Sequence, residues 1–213
     1  MSYPIPDLAS GTVHHAEFEV EKSRFIAWVG HTPSPEHFST LLEAARQAHP
    51  GANHHCTAFI AGAPGEQNAI GFSDDGEPGG TAGRPMFQVL EGAGLGQLGC
   101  VVIRYFGGIK LGTGGLARAY SKAVSLALET LPTRTFTPRK PLTLKLDFAG
   151  EAEARSWLAG QDIPIEQADY GADGVTLTVG WPEDEPVELG ELESRLKGRL
   201  QILASAQGSS PGI

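Results

Sequence analysis

The clearest candidates for chemistry lie in a glycine-rich stretch, VIRYFGGIKLGTGGLARAY, at positions 102–120. An apolar strand, a glycine-rich loop and an amphipathic helix follow one another here, which is typical of phosphate-binding loops. Glycine lets backbone N–H groups approach an anion closely, and a helix start adds the positive end of its dipole. The candidate anion- or nucleic-acid-binding residues are Arg84, Gly107, Gly108, Lys110, Gly112, Thr113, Gly114, Gly115, Arg118 and Lys122.

Nucleotide-binding fingerprints match this stretch only in part. Gly112, Gly114 and Ala117 satisfy G-x-G-x-x-A, but the strand ends near Phe106, before the motif, and no acid follows about 20 positions later to hold a ribose. The Gly-Lys-Ser/Thr of a Walker A loop is not formed, since leucine follows Lys110. We therefore expect the stretch to bind an anionic oxygen group as part of a wide surface. The alternative is that its glycines only permit tight loop packing.

A second candidate is the acidic loop SDDGEPGGTAG, which contains Asp74, Asp75 and Glu77. These carboxylates suit a hard cation or an acid/base pair, but the spacing is not that of an EF-hand, and the same letters are typical of a tight turn. Arg104 ends a strand whose preceding residues are apolar, and a buried guanidinium needs a carboxylate partner. We predict a structural ion pair between Arg104 and one of these three acids, and no metal site.

The histidine and cysteine residues give no catalytic set. His54, His55 and Cys56 lie together on a predicted strand, where neighbouring side chains point to opposite faces, so at most two share a side, too few for zinc. Cys56 and Cys100 are isolated and indicate neither a disulfide framework nor a zinc site. No nucleophile elbow or H-E-x-x-H helix is present. We predict no catalytic residue and no cofactor.

Charge is distributed unevenly along the 213 residues. The formal net charge is -9, which argues against indiscriminate binding of nucleic acid. Residues 84–122, however, carry five basic residues and one acid, whereas residues 150–195 carry twelve acids and two arginines. An anionic partner is therefore expected on the glycine-rich half. Because no leader-like segment or long apolar run is present, we expect a cytoplasmic protein without a membrane partner.

The elements that position these residues follow from periodicity. Alternating apolar residues predict a hairpin from TVHHAEFEV and SRFIAWVGH, and Ser34-Pro35 predicts the start of a helix that runs to Pro50. HHCTAFIAG and GEQNAIGF are predicted strands, RPMFQVLEG a short helix, and GCVVIRYF a central strand covered on both faces. A further helix is predicted from Gly115 to Leu131, with Arg118 and Lys122 turned away from the core. LPTRTFT then resembles a linker.

A second unit follows this linker. LTLKLDF alternates as a strand, a helix runs to about Ala159, and DIPIEQADY and GVTLTVGW are strands that precede the helix ELESRLK and the strand RLQILAS. This βαββαβ order is that of a ferredoxin-like split motif. We predict domains at 1–135 and 138–207, and a flexible tail at 208–213.

FSDDGEPGGTAGRPM and VVIRYFGGIKLGTGGLARAYSKAV together resemble the signature of the YigZ/IMPACT family. The similarity extends to KSRFIAWVGHT, HPGANHHCTAFIAG and, more weakly, the second unit. The resemblance implies an α+β protein: an N-terminal domain with the ribosomal protein S5 domain 2-like fold, and a C-terminal ferredoxin-like domain similar to domain V of elongation factor G.

The function that the resemblance implies is regulatory. Eukaryotic relatives regulate translation by competing for the activator of a kinase that phosphorylates an initiation factor, and they carry an RWD domain that this sequence lacks. What this chain shares is the domain with glycine loops and Arg84, Arg104, Lys110 and Arg118. We therefore predict a non-enzymatic, translation-linked protein that binds RNA, the ribosome or a protein partner. The alternative is a metal- or phosphate-dependent enzyme that uses the acidic loop and Gly107–Gly115.

Overall fold

The computed structural model describes residues 1–203, so the predicted tail at 208–213 and the last residues of the predicted second domain lie outside the described residues. Contacts between Cα atoms divide the chain into two units, Ser2–Phe136 and the chain from Thr137 onward. Both units combine helices with antiparallel strands, which confirms the predicted α+β class.

The first unit is built on an antiparallel sheet with the strand order β2-β3-β6-β4-β5. Its strands are β2 (His14–Val20), β3 (Ser23–His31), β4 (His54–Ile60), β5 (Ile70–Ser73) and β6 (Leu98–Tyr105). The helices of this unit are α1 (Pro35–Ala48), α2 (Gly83–Gly92) and α3 (Gly112–Glu129). β6 lies in the middle of the sheet and is buried almost throughout, as expected for a strand covered on both faces.

Helices cover both faces of this sheet, and the strand periodicity decides which side chain meets which helix. Ile26, Val101 and Ile103 pack with Phe38 and Leu41 of α1 on one face. The alternate strand positions pack against α2 and α3 on the other face, where the largest apolar cluster lies. Arg104 follows Ile103 by one residue and therefore lies on the α2/α3 face.

The β2–β3 hairpin closes with the shortest common turn. Val20 pairs with Ser23, so only Glu21 and Lys22 form the turn, with φ of 46° and 61°. Positive φ at both central residues is the type I′ geometry, whose twist matches that of the flanking strands.

The prediction that LPTRTFT is a linker is wrong. Thr133–Phe136 forms strand β7, which pairs antiparallel with β1 (Tyr3–Pro6) to make a two-stranded sheet. The partner strand lies at the other end of the unit in sequence, so no local sequence pattern predicts the pairing. The prolines of β1 are tolerated because they lie in an edge strand, where a missing N–H costs no ladder bond.

Helix α3 begins three residues earlier than predicted, at Gly112, and ends at Glu129. Glycine disfavours a helix interior by about 1 kcal/mol relative to alanine, which is why the sequence pointed to a later start. Burial of an apolar face that includes Leu116, Tyr120 and Val124 outweighs this cost.

The second unit has the element order βαββαβ. Its elements are β8 (Arg139–Leu146), a 3₁₀ turn (Phe148–Gly150), α4 (Glu151–Gly160), β9 (Ile165–Tyr170), β10 (Val175–Pro182), α5 (Gly190–Arg195) and β11 (Leu200–Leu203). The antiparallel strand order is β11-β8-β10-β9. Alternate residues of β8 and β10 face Trp157 and Leu158 of α4 and Leu192 of α5, which form a core of their own.

Because each unit has its own core, we expect the two to unfold separately. Trp157 and Trp181 are buried in the second core, whereas Trp28 belongs to the first unit. In a Trp28→Phe variant, tryptophan fluorescence during thermal unfolding should follow only the second unit, while far-UV circular dichroism should follow both. Coincident curves for the two signals in Trp28→Phe and in the same variant with a destabilised first unit would contradict independent folding.

Candidate functional site

A buried polar network centres on Glu77 of the acidic loop. An Nη of Arg104 lies 2.6 Å from Oε1 of Glu77, and the hydroxyl of Tyr120 donates to the same oxygen at 2.7 Å. Nε2 of His54 lies 3.8 Å from the other oxygen. The side chains of Arg104 and Glu77 are only 6% and 3% exposed. Of the three acids predicted to pair with Arg104, Glu77 is the one that does so.

The sequence does not identify Tyr120 as part of this network, because helical spacing marks it only as a core residue. Burial and the neighbouring Cys56 and Glu77 raise the pKa of Tyr120. The phenol therefore stays protonated and acts as a neutral donor to Glu77. The only earlier signal was a hydroxyl at a core-facing position of α3, where a buried O–H requires an acceptor.

Asp74, another of the three candidate partners of Arg104, organises the loop instead. Its carboxylate accepts the backbone N–H groups of Gly80, Ala82 and Gly83 at 2.8, 3.0 and 2.8 Å. Burial alone would raise the pKa of Asp74, but these backbone hydrogen bonds lower it. The charge therefore lies at the start of α2, where the helix dipole favours an anion.

Asp75 is likewise engaged outside the Arg104 pair. It accepts the backbone N–H of His55 at 2.6 Å and faces Arg46 at 3.7 Å. All three carboxylates of the loop are thus bound by protein donors, which removes the support for a metal-binding or acid/base role. Within residues 1–203, no cluster of three or more His, Cys, Asp or Glu side chains is arranged to hold a metal ion.

His54, His55 and Cys56 support the loop. Nδ1 of His54 donates to the carbonyl oxygen of Asp75 at 2.8 Å, which assigns the proton to that nitrogen. The thiol of Cys56 donates to the carbonyl of Asp74 at 3.0 Å. Burial raises the pKa of Cys56 to about 12, so the group remains a thiol rather than a nucleophilic thiolate.

The glycine loop connects β6 to α3 and does not present all of its N–H groups to solvent. The N–H of Gly107, predicted to bind an anion, donates to Oγ of Ser23 at 3.1 Å and is therefore already engaged within the protein. A Cβ at this position would overlap the backbone of Lys22. Gly107 is therefore required for the close approach of the loop to the β2–β3 turn. Gly108 and Gly112 adopt φ of 89° and 71°, with open space where a Cβ would lie.

The start of α3 is uncapped in the described structure. Leu111 occupies the N-cap position and offers no side-chain acceptor, and the first turn contains no acidic residue. The N–H groups of the first helical residues, Gly112, Thr113 and Gly114, lack the i−4 carbonyl that later residues use. An uncapped helix start attracts anions through these donors and through the dipole.

Two concave surfaces flank the glycine loop. The first, here called the glycine-loop cleft, has a volume of about 440 Å³ and is lined by residues that include His54, Arg104, Phe106, Lys110, Gly112 and Thr113. The second, the Phe18 groove, has a volume of about 550 Å³ and is lined by residues that include Phe18, Val20, Ile109, Lys110, Arg118 and Lys122. Lys110 lines both surfaces.

The predicted binding residues therefore separate into groups. Lys110, Gly112 and Thr113 line the glycine-loop cleft, and Gly115, Arg118 and Lys122 line the Phe18 groove. Nζ of Lys122 lies 4.7 Å above the ring of Phe18, a cation–π contact. Arg84 is exposed on α2 and Gly114 is exposed on α3, and neither is among the residues that line these two surfaces. Sequence reasoning missed the cleft residues Asn53 and Phe106.

The fold and this site define a class: a mixed α+β protein whose first unit carries a glycine-rich, basic loop over a buried Arg-Glu-Tyr network. Residues 21–128 match the Impact N-terminal domain. The chain belongs to the YigZ/IMPACT family. No helix among the described residues combines the length and apolar character needed to cross a membrane.

The similarity to relatives extends over both units. The chain is 43% identical over 187 residues to the IMPACT family member YigZ of Escherichia coli, a match that covers 87% of this chain and 91% of the relative. It is 46% identical over 188 residues to an IMPACT family member of Haemophilus influenzae, covering 87% and 90%.

One solved structure, described only as a hypothetical protein, is 41% identical, with a TM-score of 0.67 and coverage of 95% of this chain and 97% of that chain. The likeness to the two-domain translational regulator Yih1 is low, with a TM-score of 0.37 at 22% identity.

Proposed function

We propose that this protein is a non-enzymatic, translation-linked regulatory protein that binds RNA, free or on the ribosome, through the basic surface around the glycine loop. The observation that carries the proposal is the uncapped, acid-free start of α3 beside Lys110. Family membership supports the link to translation, which is what the resemblance to eukaryotic members implies. A cytoplasmic location belongs to the same proposal.

The charges of this region favour an anionic partner. Lys110 lies in the loop, and Arg118 and Lys122 are exposed one turn apart on α3. Backbone phosphates of RNA are the anions that such a scattered basic surface suits, because phosphate contacts need a local excess of Lys and Arg rather than one deep pocket. A protein partner on the same surface is the competing class and would show itself by a failure to bind RNA.

The enzyme alternative that used the acidic loop lacks support, since donors from the protein already engage Asp74, Asp75 and Glu77. We also propose the finer folds: a ribosomal protein S5 domain 2-like first unit, and a ferredoxin-like second unit similar to domain V of elongation factor G. The βαββαβ order and the strand order β11-β8-β10-β9 support the latter.

The test of RNA binding is a salt series with a charge-reversal variant. Lys110→Glu with Arg118→Glu should weaken binding to RNA or ribosomes at least about 10-fold and lower the salt slope by about 2, because two phosphate contacts are lost. Fluorescence anisotropy with labelled RNA and ribosome co-sedimentation measure both quantities.

The matched control is Lys145→Glu with Lys197→Glu, which makes the same change in net charge on two exposed lysines of the second unit. This control should bind RNA nearly as wild type does if the contact is local. Equal binding by the Lys110/Arg118 variant and wild type, or binding that ignores salt, would contradict the proposal. Wild type that binds neither RNA nor ribosomes at about 50 mM salt would leave a protein as the class of partner.

A further inference from the structure

The glycine-loop cleft contains an exposed aromatic ring that a phosphate-binding surface does not need. Phe106 is 46% exposed and is the first residue after β6. Its backbone N–H donates to Oδ1 of Asn53 at 2.8 Å, and the backbone N–H of Asn53 donates to the carbonyl of Arg104 at 2.9 Å. The backbone under the ring is therefore held from two directions.

The guanidinium of Arg104 holds the ring itself. Its Cζ lies 5.5 Å from the ring centroid of Phe106 and 5.5 Å from that of Phe25, so the cation contacts both aromatic rings. Glu77 fixes the same guanidinium, so the exposed ring packs against a cation that is itself held in place. An exposed aromatic ring is the usual platform for an unstacked base.

Arg104 also carries an unsatisfied donor. Its Nε is buried and has no hydrogen-bond partner among the residues that the structure describes, although the side chain lines the cleft. A buried donor without an acceptor costs free energy, but this nitrogen has almost no exposed surface and is not open to a ligand in the cleft. Arg104 therefore contributes to the cleft as the ion-paired support of the Phe106 ring and not as a free donor.

Other residues that line the cleft supply donors for an anion. Lys110 and the uncapped start of α3 at Gly112 and Thr113 line the same cleft as Phe106. The cleft therefore combines a surface for a flat ring with donors for an anionic oxygen. Its volume of about 440 Å³ lies within the usual range of small-molecule sites, about 300–1,000 Å³.

We infer that the glycine-loop cleft binds a single unstacked nucleotide, with its base on Phe106 and its phosphate at Lys110 and the start of α3. This inference rests on the proposed function and narrows the wide surface expected from sequence to one subsite. A paired base has no free face for Phe106, so the site selects single-stranded over double-stranded RNA. Two kinds of ligand carry both a base and a phosphate: a strand of RNA and a free nucleotide.

Little discrimination among bases is expected. Oδ1 of Asn53 accepts the N–H of Phe106, and Nδ1 of His54 donates to Asp75, so these two atoms are not available to a base edge. Stacking itself is tolerant of sequence because every base has a π face.

The experiment compares Phe106→Leu with wild type on a labelled single-stranded RNA and on the duplex of the same sequence. Loss of stacking should weaken single-strand binding about 5- to 100-fold and change duplex binding about 2-fold or less. Phe72→Leu is the matched control, since Phe72 is 50% exposed on β5 of the same unit and does not line the cleft. This control should bind both RNAs as wild type does.

Phe106→Trp keeps the inference testable if the leucine variant folds poorly. The tryptophan should restore single-strand binding, and its fluorescence should be quenched by the strand. Displacement of the labelled RNA by nucleoside monophosphates but not by ribose 5-phosphate supports a free nucleotide as the ligand. Displacement by an unlabelled RNA strand but not by nucleoside monophosphates supports RNA as the ligand.

The outcomes separate this inference from the proposed function. Salt-dependent RNA binding that is equal in Phe106→Leu and wild type, with no preference for the single strand and no quenching in Phe106→Trp, overturns the inference and leaves the proposed function standing. No binding of any RNA or nucleotide by wild type overturns both.

Discussion

Replacement of Arg104 by alanine is expected to lower the free energy of unfolding of the first unit by about 3–5 kcal/mol. The variant leaves Glu77, whose side chain is 3% exposed, buried beside Tyr120 and His54 and without its cation. An unpaired buried carboxylate is costly because it has lost its solvation without a compensating charge. Chemical denaturation measures the change, and the melting temperature should fall by about 10 °C or more.

Two control variants test whether the loss comes from a buried, unpaired charge. Arg24→Ala removes an ion pair of similar length, 2.6 Å to Glu17, whose side chains are half exposed, and should cost only about 0–1 kcal/mol. The double variant Arg104→Met with Glu77→Leu leaves no charge buried and should recover part of the loss. A melting temperature for Arg104→Ala equal to that of wild type would show that the pair contributes nothing to stability.

The second large effect is expected for Gly107→Ala, which should cost about 3 kcal/mol or more. The added methyl would overlap the carbonyl group of Lys22 and lie close to the N–H of Ser23. These are backbone atoms of a tight turn, which cannot move aside as a flexible side chain does. The shift of the loop should also break the hydrogen bond from the Gly107 N–H to Ser23.

The matched control is Gly114→Ala in the first turn of α3. Its Cβ would meet only the far end of the Arg118 side chain, at 3.3 Å, and its φ is not in the left-handed region. Alanine is the better helix former, so stability should be unchanged or rise by up to about 1 kcal/mol. Equal stability of the Gly107→Ala and Gly114→Ala variants would show that the loop relaxes and that the close approach is not required.

Arg104 and Gly107, the residues changed in the two predictions above, lie in the same corner of the first unit. Ser23 accepts the N–H of Gly107 and lies 3.5 Å from an Nη of Arg104. The turn of the β2–β3 hairpin, the end of β6 and the glycine loop thus share one serine hydroxyl. A change at either position is therefore expected to disturb the glycine-loop cleft as well as the core.

The residues themselves determined much of the fold. Alternation along the strands identified the β2–β3 hairpin, and four consecutive apolar residues from Cys100 marked β6 as a central strand. Helical spacing placed Leu116, Tyr120 and Val124 on the buried side of α3. These features depend on the period of side chains along one element, which the chain carries locally.

The sequence predicted only part of the candidate site. A guanidinium at the end of a buried strand requires a carboxylate, so the sequence pairs Arg104 with the acidic loop. The sequence does not choose among Asp74, Asp75 and Glu77, because that choice depends on which loop oxygen reaches the end of β6. The backbone donors that engage Asp74, and the Tyr120 hydroxyl beside Glu77, follow no sequence spacing.

Tertiary structure alone decided the remaining features. Tyr120 lies 43 residues from Glu77 in sequence, and Gly107 lies 84 residues from Ser23. β7 pairs with a strand at the opposite end of its unit, and Phe106, Lys110 and Gly112 share a cleft with His54 of another strand. These contacts arise because the sheet order places β3, β6 and β4 side by side, and that order is a property of the whole packed core rather than of any local pattern.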